Sequence, residues 1–269
     1  MNTISGTTKT QFFFYLEDVG FITQLRQCLT EEHQTPFILV GLHFLSEAYS
    51  GQQDVELITG YLSSPHYVIW VTACFALAKY DQTQVFLRVI EVFCSHKDLS
   101  WVFIAKAMSL SKESVRDLAV PLSTHSDPRI RQAILAVFRD FSTDGTKGIL
   151  LDCLSQESCD YVKTEAMKTV LHLHLLLPES VLREVLQCEF KPLTLLVVEY
   201  LARYPSPEFN SYLMTLLEHP DWEVTYHAVG AILGHGNMGQ LLLETYANTH
   251  HTRGALSVRS ILNERRMHG

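Results

Sequence analysis

Apolar and polar positions recur along this chain on two scales. On the short scale, apolar residues return every three or four positions, which puts them on one stripe of an α-helix. On the long scale, the whole pattern repeats. One apolar residue just after a polar turn marks each repeat: Phe37, Val68, Leu99, Ile130, Val162, Leu193, Val224 and Leu256. Successive separations are 31, 31, 31, 32, 31, 31 and 32 residues. A period of this size signals an array of small units stacked on one another. Each unit contains two helix-length patterns. The first ends near a large apolar residue, the column Leu62, Phe93, Leu122, Leu154, Leu186 and Leu217. The second starts at or just before the marker residue.

The turn chemistry agrees with the pattern. Thr35-Pro36, Ser64-Pro65 and Asp127-Pro128 each put a capping side chain before a proline. That is a helix-start signal, because proline lacks the donor that the first turn leaves unsatisfied. Asp221 is suited to the same capping role, whereas Lys191-Pro192 keeps the proline without a good cap. Within the second helix, small or apolar residues follow the marker at plus four, five and eight. Val162, Ala166, Met167 and Val170 follow this spacing, as do Val224, Ala228, Val229 and Ile232. Strand signals are nearly absent. The expected fold is therefore all-α, an array of about eight two-helix units. Residues 1–11 read as a disordered lead-in, and residues 12–269 as a single domain whose first helix runs from about Phe12 to Leu29.

Composition narrows the class further. Of the 269 residues, 47% are hydrophobic and 19% charged, the balance of a well-buried chain and not of a disordered one. The formal net charge of -8 argues against general nucleic-acid binding, which needs cations to replace phosphate counterions. The six cysteines, at 28, 74, 94, 153, 159 and 188, form no Cys-x-x-Cys pair and read as reduced thiols of a cytoplasmic protein. No apolar run reaches the ~18 residues of a membrane span, and Gln11 to Leu16 is too short for the core of a signal peptide.

Paired helices of this period, with Asp-Pro-x-(Ile/Val)-Arg opening the second helix, resemble the short bacterial-type HEAT repeats, also called phycobilin-lyase HEAT-like repeats. The fit is closest at Asp127-Pro128-Arg129-Ile130-Arg131 and at Asp221-Trp222-Glu223-Val224. The resemblance spans roughly residues 12 to 266. It implies a right-handed α-solenoid whose second helices line a concave surface. It also implies an Asp before and an Arg after the marker, bonded between adjacent repeats. Here only Arg131 and Lys163 supply that cation, since Ile69, Ser100, Thr194, Thr225 and Ser257 take the place elsewhere. Packing is therefore expected to carry most of the stacking.

Candidate chemistry is sparse. His172 and His174 lie two apart on a predicted helix and point to different faces, so they do not make a metal pair. No ligand cluster has zinc spacing, and there is no Gly-x-Ser-x-Gly, phosphate loop or His-Glu-x-x-His. No cofactor or metal is expected, and the chain is not expected to be an enzyme. The residues after the markers are more informative. Trp70, Trp101 and Tyr226 fall two residues after theirs, and Arg131 and Lys163 fall one after theirs. On a shared face they would form a groove with aromatic anchors and a central basic spot, the residue types that dominate interface energies. The competing expectation is that the aromatics pack between repeats. The expected function is a non-enzymatic scaffold holding a protein partner, with no nucleic acid involved. Two alternatives stay open. One is a DNA-alkylation repair glycosylase of the HEAT-like class, for which Trp70, Trp101 and Asp98 would have to line the groove. The other is a bilin lyase, for which only the repeat type speaks.

Overall fold

Helix starts set the architecture, and the start after Asp127 shows how. The Asp127 carboxylate accepts from the Arg129 backbone N–H at 2.9 Å, and Pro128 occupies the first turn. A computed structural model describes residues 19–31, 34–48, 51–143 and 145–268. Among the described residues there are seventeen α-helices and three short 3-10 helices, with no strand. The expected lead-in at 1–11, and the start of the first helix near Phe12, lie outside the described residues.

The chain divides into two compact units, Met1–Thr143 and Asp144–Gly269. In the first unit the helices are α1 (Val19–Glu31), α2 (Thr35–Ala48), α3 (Gln52–Gly60), α4 (Tyr67–Ala78), α5 (Thr83–Ser95), α6 (Trp101–Leu110), α7 (Lys112–Asp117), α8 (Ala119–Ser123) and α9 (Pro128–Val137). In the second they are α10 (Thr146–Gln156), α11 (Asp160–His172), α12 (Glu179–Val185), α13 (Lys191–Arg203), α14 (Asn210–Thr215), α15 (Trp222–Leu233), α16 (Asn237–Thr249) and α17 (Arg253–His268). In the first unit α2 packs on α4, α4 on α6 and α6 on α9, while α1 packs on α3. In the second unit α11, α13, α15 and α17 pack in the same succession, and α10 packs on α12. Within each unit, successive second helices thus meet one another, a pattern compatible with helical repeats.

The period also appears in the hydrogen bonds. Tyr61 donates to the Leu29 carbonyl at 2.6 Å, Tyr80 to Leu45 at 2.9 Å, Ser111 to Ala78 at 2.5 Å and Arg203 to Leu171 at 3.2 Å. In each case a side chain of one pair satisfies a carbonyl near the helix end of the preceding pair, where no intrahelical donor remains.

Burial corrects the register. Ile130, Val162, Leu193 and Val224 are buried at 0–1% exposure, and the plus four, five and eight positions in α11 and α15 are buried with them. Phe37, Val68 and Leu256 are exposed, and their neighbours Ile38, Ile69 and Ala255 are buried instead. In six of the eight second helices the buried marker is the third helical residue; in α2 and α6 it is the fourth, Ile38 and Ile104. One residue turns a helix by about 100°, so an error of one in the start moves a side chain from core to solvent. Ser64 is the cause at α4. Its hydroxyl accepts from the His66 N–H at 3.2 Å and closes a local turn, and the helix starts after His66. At α6 the marker Leu99 is buried but precedes the helix, which Ser100 caps through the Val102 N–H at 3.4 Å. The fourth pair departs in another way. Its first helix breaks into α7 and α8 at Leu118, because Pro121 has no N–H to donate to Asp117.

Candidate functional site

The five residues singled out in the sequence do not share one structural position. Trp70 is the fourth residue of α4 and is 4% exposed. Its ring stacks on His96 of the following pair at 4.0 Å and meets Tyr67 edge-on at 5.3 Å. The His96 ring is itself held, with Nδ1 2.9 Å from the Val92 carbonyl and 3.0 Å from Ser95 Oγ. Trp70 is therefore packing between pairs and presents no face to a partner. Trp101 is the first residue of α6 and is half-buried. The two tryptophans share an offset from the sequence markers but differ by nearly one helical turn, because α6 starts late.

Arg131 is half-buried, and its guanidinium donates to the His125 carbonyl at 2.7 Å and the Ser126 carbonyl at 3.0 Å, inside its own turn. Lys163 is half-buried on α11, and Tyr226 is 41% exposed on α15, edge-on to the exposed Trp222 at 6.1 Å. Trp70, Trp101 and Arg131 belong to the first unit, Lys163 and Tyr226 to the second.

The bond between adjacent pairs falls to a different arginine. Arg129 forms an ion pair with Asp127 at 2.6 Å. It also donates to the carbonyls of His96 at 2.8 Å, Lys97 at 2.9 Å, Leu99 at 3.1 Å and Phe93 at 3.3 Å. Burial pushes the Asp127 carboxyl up, but the hydrogen bonds and charge of Arg129 outweigh it and hold the group below its ordinary value. In the second unit Lys191 bridges forward to Asp221 at 2.5 Å and Glu223 at 2.8 Å. Glu218 accepts from Tyr246, Thr252 and the Gly254 N–H, which ties the start of α17 to the preceding pair.

The surface the sequence reading missed lies in the first unit. Phe37 (61% exposed) and Val40 (53%) stand on α2, Tyr67 (51%) and Val68 (52%) on α4, and Val102 (55%) and Phe103 (37%) on α6. Val68, Thr72 and Phe75 lie at i, i+4 and i+7, on one side of α4. Phe75 stacks on Phe103 of α6 at 6.3 Å, which joins the two helices' apolar faces. A signal was present. The sequence of α4, Tyr67 to Ala78, holds no charged residue, and a helix apolar on every side has more apolar surface than one core consumes.

Burial raises the Cys74 thiol to about 12, and burial also raises Cys94 and Cys188. Among the described residues no three His, Cys, Asp or Glu side chains cluster as a metal site. An open groove in the second unit is lined by Glu244, Ala247, Asn248, Arg259, Leu262 and Asn263. Its one cation, Arg259, is engaged with the carbonyls of Ala247 and His250 at the end of α16. No described helix is long and apolar enough to cross a membrane. A scan of protein-family models and a search of curated proteins each find no match to this chain.

Proposed function

We propose that this chain is a cytoplasmic, non-enzymatic scaffold: an α-solenoid of HEAT-like pairs that holds a protein partner on the exposed face of its second helices. One observation carries the reading. Six large apolar side chains, Phe37, Val40, Tyr67, Val68, Val102 and Phe103, stand exposed on three successive second helices that pack side by side. Single exposed apolar residues need no explanation, but six of them on three helices packed in succession, two of those helices joined by the Phe75–Phe103 stack, mark an interaction surface. The reading favours this face over the aromatic groove expected from sequence, because Trp70 is consumed in packing. The same burial counts against a repair glycosylase, which would need Trp70 in its groove.

The test is affinity capture with the full chain as bait, beside Val68→Asp and Phe103→Asp. Val68 is 52% exposed, so Val68→Asp should melt within a few degrees of the parent; Phe103→Asp also gives up the stack on Phe75, so its melting temperature is read beside its binding. A partner held by this face should be lost from both. A partner retained by both variants at parental levels would refute the assignment. Trp101→Ala separates the two faces: binding lost at unchanged melting temperature would bring Trp101 into the contact surface.

A further inference from the structure

We infer that the segment held on this face is an acidic, amphipathic helix of a partner protein. The inference rests on the scaffold reading and adds the chemistry of the partner. It starts from charge. The chain is acidic overall, at -8, yet its first-unit second helices are not. α2, α4, α6 and α9 hold one carboxylate, Glu47, against Lys106, Arg129 and Arg131. Glu47 is already paired with Lys79, which also donates to Ser46 at 3.2 Å, and Arg129 is paired with Asp127. Lys106 is exposed and forms no ion pair among the described residues. It sits four residues after Val102 and three after Phe103, so it stands one turn along α6 on the side that carries them. Apolar anchors with an unneutralised cation at their border are complemented by apolar side chains flanked by Glu or Asp.

Geometry selects a helix. The row crosses three neighbouring helices, two steps of about 10 Å each. A span of about 20 Å is matched by roughly 13 helical residues at 1.5 Å each. The spacing of neighbouring helices, about 10 Å, matches the separation of i and i+7 anchors on an amphipathic helix laid across them, about 10.5 Å. An anionic bilayer is the competing acidic, apolar surface, but the one lysine offered here adds only about 1 kcal/mol of attraction to it, well short of the cluster of basic residues such a surface needs.

The probe is a displayed library of random 16-residue peptides, selected on the full chain. Winning peptides should favour Glu and Asp over Lys and Arg, with Leu or Phe at three- and four-residue intervals. Their binding should weaken about tenfold or more in Phe103→Asp and severalfold in Lys106→Glu, and should fall as salt rises. Lys106→Gln serves as a second variant, and a thermal melt of each variant checks folding. Winners that are neutral or basic, or that bind Lys106→Glu and Lys106→Gln as well as the parent, would overturn the inference. If such winners still need Phe103, the scaffold reading stands without its acidic partner. If neither winners nor captured partners respond to Phe103→Asp, the scaffold reading itself falls. Sedimentation of the parent with phosphatidylserine vesicles, with no peptide selected, would overturn it in favour of a membrane.

Discussion

Arg129 offers the sharpest test of how the pairs are joined. Replacing it with Met keeps the apolar stem and removes the charge and five donors. The ion pair with Asp127 is lost, and the carbonyls of Phe93, His96, Lys97 and Leu99 lose their shared donor. The pair is well shielded, with side-chain exposures of 18% and 17%. A hydrogen bond to a charged group contributes about 1.5–3 kcal/mol net. These bonds share one guanidinium, and the freed carbonyls regain some water, so they do not add in full. A total of about 3 kcal/mol is the expected loss, or roughly 6–12 °C in the transition of a unit this size. Arg183→Ala is the control. Its pair with Glu179 is an exposed i, i+4 contact, with exposures of 59% and 48%, and its guanidinium lies 5.7 Å from the Phe209 ring, so its loss should cost about 1 kcal/mol or less. The assay is urea denaturation followed by circular dichroism, with both unfolding transitions fitted. Acid provides a second reading of the same bond. Asp127 is held below its ordinary value, so its contribution is complete above the unfolded carboxyl value of about 3.9 and is lost as pH falls through the folded one. Asp127→Asn keeps the cap oxygen and removes the charge. The stability gap between it and the parent should hold from pH 7 to about 5 and close as pH falls below about 3.9. If Arg129→Met costs under ~1 kcal/mol, no more than Arg183→Ala, the view of Arg129 as the joint between pairs is wrong.

Two further pairs of substitutions test the packing. Val162 is 1% exposed, so Val162→Asp buries an unpaired charge and should destabilise by several kcal/mol, whereas Lys97→Asp, on an exposed turn, should change stability by about half a kcal/mol or less; equal effects in a thermal melt would disprove the register. A Cβ on Gly239 would lie 1.8 Å from the Ile232 carbonyl oxygen, so Gly239→Ala should cost about 3 kcal/mol or more, while Gly148→Ala, with nothing within 4 Å, should be neutral or stabilise α10 by up to about 1 kcal/mol; the same melts decide both, and a harmless Gly239→Ala would contradict the close approach of α16 to α15.

Sequence alone determined the helical class, the pairing of helices and the period near 31 residues. These are local properties: the 3.6-residue stripe, the Asp-Pro start and the polar turn each act over a few neighbours. It also found the buried markers of α9, α11, α13 and α15, and the core positions that follow them in α11 and α15. It left the candidate face hidden, because that face depends on which of two adjacent apolar residues turns inward. Phe37 competes with Ile38, and Val68 with Ile69, and composition does not separate them. The same holds for the charged joint, where Arg131 takes the place expected from the HEAT-like resemblance but Arg129 reaches the preceding pair. The start of each helix decides these choices, and local turns shift it by a residue. Ser64 closes a turn instead of a cap, Ser100 delays α6 until after Leu99, and Trp70 finds His96 waiting in the next turn. A helix rotates about 100° per residue, so only the packed tertiary structure converts a strong apolar pattern into a known inside and outside.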